Sequence, residues 1–220
     1  MKISKETLVV LRNFANINGN IWIDAGNLIL TKSSANNITA EIEIDAAFTS
    51  PFGIYDLNEF LGVLALFNDP ELTFTDKYVT VAEGKHKLKY FCADKTILSI
   101  PKKRMSFELV NAEPKVSFEL TQEQFQKIIK TAAVLKAPDV TFVGDGSTMT
   151  AVISDASSAS SNAYSFELCD SAAECSVQFK MDALKLIPAN YQVVFGTNSA
   201  ARFTAGSLIY HIVMEQASTL

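Results

Sequence analysis

The side chains that most often carry enzyme chemistry are few in this sequence and poorly spaced for it. Of two histidines, His86 lies among lysines in a predicted solvated turn, and His211 lies in an apolar strand as a predicted satisfied core residue. Neither has Cys or carboxylate neighbours at metal-ligand spacing. The serine-rich run 157–161 has no adjacent base to activate a nucleophile. We therefore predict that the protein is not an enzyme and uses no metal or other cofactor.

Cysteine usage and the N-terminus predict a protein that stays where it is made. Cys92, Cys169 and Cys175 give an odd count without paired spacing, which favours reduced core thiols over disulfides. No apolar run follows the lysines of residues 1–6, so we expect no signal peptide. No stretch approaches about 18 consecutive apolar residues, so we expect no membrane span and a cytoplasmic location.

The charged side chains are distributed unevenly, and their distribution bears on nucleic-acid binding. The net charge is −5, which taken alone argues against a nucleic-acid partner. Yet residues 2–18 and residues 121–136 each hold three basic residues and one acidic residue, a net charge of +2. The remainder is therefore strongly acidic, and side chains able to contact phosphate concentrate in two segments.

Both segments have the periodicity of amphipathic helices. Lys5, Arg12 and Asn16 line up on one side of the first, and Lys127 and Lys130 on one side of the second. The opposite sides are apolar and consist of Leu8, Leu11, Phe14 and Ala15, and of Phe125, Ile128, Ile129 and Ala132. Ordinary solvated helix faces have the same pattern, so periodicity alone leaves both interpretations open.

Four similar units, each a helix followed by alternating strands, account for most of the chain. Each helix begins at a residue that can accept from free N–H groups and ends near Gly or Pro. The predicted helices run from Ser4 to Ile17, from Asp56 to Phe67, from Thr121 to Lys136 and from Asp182 to Ile187. The apolar run from Leu208 to Met214 predicts a strand buried on both faces. The fold class is therefore α+β.

The spacing of the units predicts two domains. Helix starts recur after 52, 65 and 61 residues, and one helix cannot cover a strand-rich sheet, so paired units are expected to share a core. We predict domains at 1–110 and 111–220, with a connector within about 94–115. The connector carries Pro101, Pro114 and the basic run Lys102-Lys103-Arg104, to which the sequence assigns no role.

Three segments carry the pattern of a known family. Residues 54–64, Ile-Tyr-Asp-Leu-Asn-Glu-Phe-Leu-Gly-Val-Leu, form the most specific of them. Residues 1–5 with 13–18, and residues 181–191, are the other two. Together they resemble the sliding clamps of T-even-type bacteriophages, over nearly the whole chain and least at about 92–116 and 155–175.

This resemblance implies a DNA-clamp fold and a ring. Each domain of such a clamp pairs two similar units, and three two-domain subunits close a ring with helices lining the hole and sheets outside. Closure pairs edge strands of neighbouring subunits, which also hides otherwise sticky edges. The chain is thus expected to form a homotrimer that encircles double-stranded DNA without sequence specificity.

The resemblance also gives the basic helix faces a role. Their side chains would point into the hole and attract phosphates, in contacts that carry no sequence information and weaken as salt rises. An acidic exterior would discourage DNA from the wrong surface. The candidate DNA-facing residues are Lys2, Lys5, Arg12, Lys127, Lys130, Lys180 and Lys185.

Protein partners follow from the same resemblance. An ATP-dependent clamp loader must open the ring, and it must hydrolyse the ATP because this chain has no Gly-rich phosphate loop. The replicative polymerase is expected to dock by a C-terminal peptide in an apolar pocket, and the family also supports late transcription in the infected bacterial host. Candidate pocket residues are Ile97, Leu98, Ile100, Pro101, Leu109 and Val110. An apolar connector that merely packs on its own domains has the same pattern.

Two other classes of protein share parts of this pattern. A single-strand-binding module stacks bases on aromatic rings, and the chain has 15 Phe and 6 Tyr, although most fall at core-facing strand positions. A structural virion or scaffold protein of repeated units would share the strands but would need no basic helix faces. Tight binding of short single strands by the monomer would favour the first alternative.

Overall fold

The computed structural model describes residues 1–158 and 160–220 and confirms the α+β class. It divides into two compact units, Met1–Arg104 and Met105–Leu220. The domain bounds 1–110 and 111–220, with a connector within about 94–115, stay a prediction. No helix among the described residues is long and apolar enough to cross a membrane.

The first unit combines helices with antiparallel strands. Its elements are α1 (Lys5–Ile17), β1 (Ile21–Ile23), β2 (Gly26–Lys32), β3 (Ile38–Phe48), β4 (Phe52–Ile54), α2 (Leu57–Leu64), β5 (Glu71–Phe74), β6 (Tyr78–Glu83) and β7 (His86–Phe91). β1 pairs with β4, β2 pairs with β3, and β5, β6 and β7 form a third sheet in that order. α1 packs against α2, β2 and β3, so the buried side of α1 lies on the core of this unit.

The second unit, in its described residues, has one α-helix and eight antiparallel strands. Its elements are β8 (Pro114–Leu120), α3 (Gln122–Leu135), β9 (Asp139–Asp145), β10 (Thr148–Ser154), β11 (Tyr164–Asp170), β12 (Glu174–Lys180), β13 (Tyr191–Gly196), β14 (Ala200–Ala205) and β15 (Leu208–Val213). One antiparallel sheet has the order β11-β10-β9-β12, and β8, β13, β14 and β15 pair in that order in another. α3 packs on β9 and β10.

Side-chain caps begin the helices where the sequence predicts them. The side-chain oxygens of Ser4 and Asp56 accept backbone N–H groups at the starts of α1 and α2. At α3 the capping box is complete: Thr121 Oγ1 accepts the N–H of Gln124 at 3.2 Å, and Gln124 Oε1 accepts the Thr121 N–H at 2.9 Å. Such a cap contributes about 1 kcal/mol, because it satisfies a donor that the helix itself leaves unpaired.

The helix ends differ from expectation more than the starts. α2 ends at Leu64, before the predicted end at Phe67, and continues as a hydrogen-bonded turn. α3 ends with Lys136 in the left-handed region at φ 54°, which is unfavourable for a residue with a Cβ. A glycine, the usual residue at such a position, is absent there.

The predicted fourth helix, from Asp182 to Ile187, is wrong, because the segment forms only a 3-10 turn at Met181–Ala183. It is too short to offset the cost of helix nucleation, and Pro188 disfavours helical backbone at the residue before it. The N–H of Ile187 instead donates to the Tyr210 hydroxyl oxygen at 3.2 Å. Tertiary hydrogen bonding therefore replaces the helix.

The strand predicted from Leu208 to Met214 is not buried on both faces. In β15, Leu208, Tyr210 and Ile212 are buried, whereas the positions between them are half-buried and Val213 is 48% exposed. This alternation is that of a sheet with one face on the core, so an apolar composition here does not indicate burial of both faces.

Aromatic rings form much of the core in each unit. In the first unit Phe48, Phe52 and Phe74 have ring centroids between 4.7 and 5.9 Å apart. A larger cluster in the second unit consists of Phe118, Phe142, Phe179, Phe195 and Phe203. Aromatic packing of this kind contributes strongly to core stability, so these rings serve the fold.

Candidate nucleic-acid interface and partner pocket

The polar side of α1 presents two cations to solvent. Lys5 and Arg12 are exposed, as their spacing predicts. The opposite side buries Leu11, Phe14 and Ala15, with Leu8 half-buried. Among the described residues no carboxylate lies within salt-bridge distance of Lys5 or Arg12. Their charges are therefore available to attract a phosphate.

α3 exposes Lys127 and Lys130 in the same way. The Lys127 ammonium lies 4.4 Å from the ring centroid of Phe166 and 5.4 Å from that of Tyr164, which orients it by cation–π attraction over β11. Lys130, like the α1 cations, has no carboxylate within salt-bridge distance in the described part of the chain. The two basic helices thus offer four exposed cations.

Three further candidate DNA-facing residues have different surroundings. Lys2 forms an ion pair with the exposed Asp69, and the Lys180 ammonium lies 2.7 Å from Asp139 Oδ1. Lys185 is exposed, but it follows a 3-10 turn and no helix presents it. The positive charges of Lys2 and Lys180 are thus partly neutralised within the chain itself.

Asp139 accounts for the position of Lys180. Its carboxyl group is buried, and Oδ2 accepts the Ala156 N–H at 3.0 Å. Burial alone would raise the pKa of Asp139, but the hydrogen bonds from Lys180, Ala156 and Gln178 outweigh burial and hold the pKa below its usual value. The Lys180–Asp139 pair therefore stabilises the fold as a local ion pair.

α2 contributes no cation to the candidate interface. Its charged residues are Asp56, which caps the helix, and Glu59, which accepts a hydrogen bond from the Tyr90 hydroxyl at 2.8 Å. Burial, with the neighbouring Glu59, raises the pKa of Tyr90. Asp56 and Glu59 are thus engaged in the fold, and the exposed cations on the helices of the first unit are those of α1.

A groove between α1 and α2, which the sequence pattern did not indicate, lies beside the α1 cations. Its volume is about 520 Å³, and Lys5 and Arg12 are among its lining residues. Its apolar lining includes Ile3, Leu8, Val9, Leu61, Leu64 and Leu72. Apolar surface is therefore adjacent to the same cations that are candidates for phosphate contact.

Part of the predicted peptide pocket lies in the first unit. Ile100 and Pro101 line a cavity of about 290 Å³ together with Trp22 and Leu30. An adjoining cavity of about 210 Å³ shares Trp22 and Leu30. The Lys95 ammonium lies 4.7 Å from the Trp22 ring centroid, so a cation borders the aromatic surface. Sequence reasoning missed Trp22, although the only tryptophan of the chain, next to a turn, is a recognisable signal.

The other predicted pocket residues do not line this cavity. Leu98 is buried and packs at Gly53, where an added Cβ would come within 2.8 Å of it, and Ile97 is 61% exposed. Leu109 and Val110 belong to the second unit, where Val110 packs against a small core that contains Phe107. The six candidates therefore have at least three different environments, because burial in the connector follows local packing and not apolar character alone.

The histidines are not arranged for catalysis. His86 is exposed at the β6–β7 hairpin. His211 is half-buried, and burial, helped by the charge of Arg202, lowers its pKa to about 4. Its Nε2 atom is buried without a hydrogen-bond partner in the described residues, so it is not the satisfied core residue that the sequence predicts. Its ring packs against Phe107 at 5.9 Å.

The remaining chemically reactive side chains are also dispersed. Ser157 bonds to Asp155 through its N–H and hydroxyl, and Ala159 of the predicted small-residue loop lies outside the described residues. Within 1–158 and 160–220, no group of three or more His, Cys, Asp or Glu could hold a metal ion. The three cysteines are free thiols whose pKa values are raised by burial.

Similarity to solved structures defines the class of protein. The chain matches A. fulgidus PCNA, solved with the C-terminal region of FEN-1, with a TM-score of 0.73 over 96% of both chains at 15% identity. It matches the Helicobacter pylori beta clamp, solved with a DNA ligase peptide, with a TM-score of 0.61 over 100% of this chain and 68% of the other at 15% identity. The fold is that of a DNA clamp, as predicted.

Sequence relatives identify the family within this class. Residues 4–98 match the family described as DNA polymerase processivity factor. The sliding clamp of Vibrio phage KVP40 is 30% identical over 98% of this chain and 99% of its own length, and that of Enterobacteria phage T4 is 29% identical over 100% and 99%. The chain belongs to the sliding clamps, the DNA polymerase processivity factors, which confirms the resemblance found in its sequence.

Proposed function

We propose that three copies of this chain form a ring that encircles duplex DNA and tethers the replicative polymerase in the cytoplasm of the infected bacterial host. The observation that carries the proposal is the exposure of Lys5, Arg12, Lys127 and Lys130 on two helices of a protein with a net charge of −5. A clamp of this kind acts by topology and needs no catalytic group of its own.

Sliding requires contacts that are individually weak and easily replaced. Exposed Lys and Arg side chains reach phosphates without reading bases, and each such contact weakens as salt rises. Lys2 and Lys180 contribute less than the four helix cations in this proposal, because carboxylates already neutralise them. Lys185 is kept as a candidate on its exposure alone.

The cavity beside Trp22 is the proposed docking site for the C-terminal peptide of the polymerase. Trp22, Leu30, Ile100 and Pro101 supply apolar surface for an anchor side chain, and the cavity is bordered by an ion pair in which the Lys95 ammonium lies 3.6 Å from Asp24 Oδ1. Two solved clamps of the same fold were bound to partner segments, one to the C-terminal region of FEN-1 and one to a DNA ligase peptide. An ATP-dependent clamp loader and late-transcription factors are proposed as further partners on the basis of the family.

Replacement of the four helix cations by alanine tests the proposal. The variant K5A/R12A/K127A/K130A should keep a solution mass near 72 kDa, three times 24.1 kDa, because these side chains hold no part of the core. It should lose processivity, and its DNA binding should depend less on salt, by about one unit of log–log slope for each phosphate contact removed. Light scattering measures the mass, primer extension measures processivity, and DNA binding at several salt concentrations measures the slope.

A matched control removes four exposed lysines outside the helices, in K77A/K85A/K103A/K115A. This variant has the same change in net charge and should retain processivity. Unchanged processivity in the helix variant, or a wild-type protein that is monomeric at all concentrations, would contradict the proposal. If that monomer bound short single strands tightly, the single-strand-binding alternative would be favoured. If the protein kept a structural role after loss of the helix cations, the scaffold alternative would be favoured.

A further inference from the structure

The connector follows a path that backbone hydrogen bonds do not determine. Residues 100–105 lie outside every helix and strand, and within the described residues none of them forms a backbone-to-backbone hydrogen bond. Two of these residues, Ile100 and Pro101, nevertheless form a wall of the cavity beside Trp22. Ordering such a segment costs conformational entropy, so side-chain contacts on either side of the two residues must hold the wall in place.

The first of these contacts holds Ser99, the residue directly before Ile100. Its carbonyl oxygen accepts a hydrogen bond from Asn18 Nδ2 at 2.5 Å, and its N–H donates to Asn20 Oδ1 at 3.1 Å. Both asparagines belong to the turn that follows α1. The two backbone groups of Ser99 are therefore satisfied by side chains that lie about 80 residues away in the chain.

The two asparagine side chains are themselves held in orientation. Asn18 Oδ1 accepts the N–H of Asn20 at 2.9 Å, and Asn20 Nδ2 donates to the carbonyl oxygen of Tyr55 at 2.7 Å. Each amide thus uses its oxygen and its nitrogen in separate hydrogen bonds, which a carboxylate could not do because it has no donor. A turn by itself would accept Asp or Gly at both positions, so the pair of amides supports a role in holding Ser99.

The second contact holds Arg104, three residues after Pro101. Its Nε and Nη2 atoms donate to Glu41 Oε1 at 3.0 and 2.7 Å, and its Nη1 atom donates to Glu43 Oε1 at 3.0 Å. The Glu41 side chain is only 7% exposed, so separating the pair would leave a buried carboxylate without its cation. Leu30, which lines the cavity, lies directly opposite Glu41 in the β2–β3 register. This contact is therefore beside the cavity wall.

We propose that Asn18, Asn20 and Arg104 are positioning residues of the peptide site, which hold the connector on both sides of Ile100 and Pro101 so that the cavity is formed before a peptide enters. None of the three lines the cavity. The inference rests on the docking site of the proposed function and names residues that act on it through the connector. A preformed site avoids an entropy loss on binding, and affinity falls with the fraction of molecules in which the site is formed.

Peptide affinity provides the first test. The probe is a fluorescein-labelled peptide with the C-terminal sequence of the replicative polymerase of the same phage, titrated into the full-length protein. Asn18→Ala and Asn20→Ala each remove one hydrogen bond to Ser99 and should raise the Kd about three- to tenfold. Arg104→Met removes three charge-assisted hydrogen bonds and should raise it about tenfold or more. Arg104→Lys, whose single ammonium cannot reproduce the guanidinium fork, should lie between wild type and Arg104→Met.

Trp22 fluorescence follows the cavity without a peptide. Trp22 is the only tryptophan of the chain and is half-buried, so its emission reports on this site alone. Asn18→Ala and Arg104→Met should raise the acrylamide quenching constant of Trp22, because a released connector exposes more of the ring. A loss of stability with the connector in place would not change it. Glu41→Gln/Arg104→Met removes the buried charge together with its partner and should match Arg104→Met, which keeps the test valid if the single variant does not fold.

Matched controls make the same changes elsewhere in the first unit. Asn58→Ala replaces an exposed asparagine of α2, and Lys103→Met removes an exposed cation next to Arg104. Both should bind the peptide and be quenched as wild type is. Trp22→Ala removes part of the cavity itself and should abolish peptide binding.

The outcomes separate this inference from the proposed function. Weaker peptide binding together with stronger quenching in Asn18→Ala and Arg104→Met, with circular dichroism showing that they are folded, supports the positioning role. A change in only one of the two measurements, or in neither, overturns the positioning role and leaves the docking site intact if Trp22→Ala still abolishes binding. A wild-type protein that does not bind the peptide, or one whose binding survives Trp22→Ala, overturns both.

Discussion

Lys2 and Lys180 each form an ion pair with a carboxylate, whereas within the described part of the chain Lys5, Arg12 and Lys130 do not. The latter three project from helices without a carboxylate at salt-bridge distance in the described residues, whereas Lys2 faces Asp69 and Lys180 faces the buried Asp139. An exposed ion pair is weak, but a buried carboxylate depends on its partner. At the residue scale, the same residue type therefore serves binding at one position and stability at another.

Lys180→Met should destabilise the protein because it leaves the Asp139 carboxylate buried without its cation. We expect a loss of about 1–2 kcal/mol in the free energy of unfolding at neutral pH, less than for a fully buried pair because the Lys180 side chain is 47% exposed. Neighbours hold the folded-state pKa of Asp139 below its unfolded value of about 3.9. The contribution of the pair is therefore complete above that pH and is lost as pH falls through the folded-state pKa.

Urea unfolding of wild type and variant between about pH 7 and about pH 3 measures this difference. Lys2→Met serves as the control, since both partners of that ion pair are exposed. A Lys180→Met variant as stable as wild type at neutral pH would show that groups other than Lys180, such as Ala156 and Gln178, satisfy Asp139.

Helix starts in this fold are determined locally, and helix ends less so. Ser4, Asp56 and Thr121 accept N–H groups within their own helices, so their positions can be read from the sequence. The 3-10 turn at Met181–Ala183 could not be predicted from local signals in the same way. The backbone N–H of Ile187, just after it, donates to the hydroxyl of Tyr210 on β15. At the element scale, local signals succeed where the hydrogen-bond partners are also local.

Lys136→Gly should stabilise the protein. Lys136 has a left-handed backbone conformation at the end of α3, and glycine adopts that conformation without the steric cost of a Cβ. Part of the gain is offset by the larger conformational entropy of glycine in the unfolded chain, so we expect about 0.5–1 kcal/mol in the free energy of unfolding. Lys136→Ala removes the same charge but keeps the Cβ. An equal gain from Ala and Gly in urea unfolding would refute backbone strain as the cause.

At the scale of the whole molecule, the charge distribution matters more than the net charge. A net charge of −5 would by itself repel DNA, yet four exposed cations lie on two helices. In the proposed ring, these cations attract the duplex. This attraction is electrostatic and weakens with salt.

Hydrogen exchange should show assembly at particular edges. As the protein concentration is raised through the range of trimer formation, amides of β7 and β11 should exchange more slowly. These strands end their sheets at the edges that Met1 and Thr219 do not cover, so their outer backbone groups would become paired in a ring. Amides of β10, which lies between β9 and β11 within its sheet, should not change. Protection that appears on β5 or β12 in place of β7 and β11 would assign assembly to other edges.

The sequence by itself determined the α+β class, the starts of α1, α2 and α3, the exposed cations on two helices and the family. It could do so because periodicity, caps and family motifs are encoded in neighbouring residues. Only the tertiary structure decided that Lys180 is held by Asp139, that Trp22 shares a cavity with Ile100 and Pro101, and that the fourth helix is a turn. These features depend on side chains that are far apart in the chain. Their contacts exist only after the sheets have formed, so local patterns alone did not determine them.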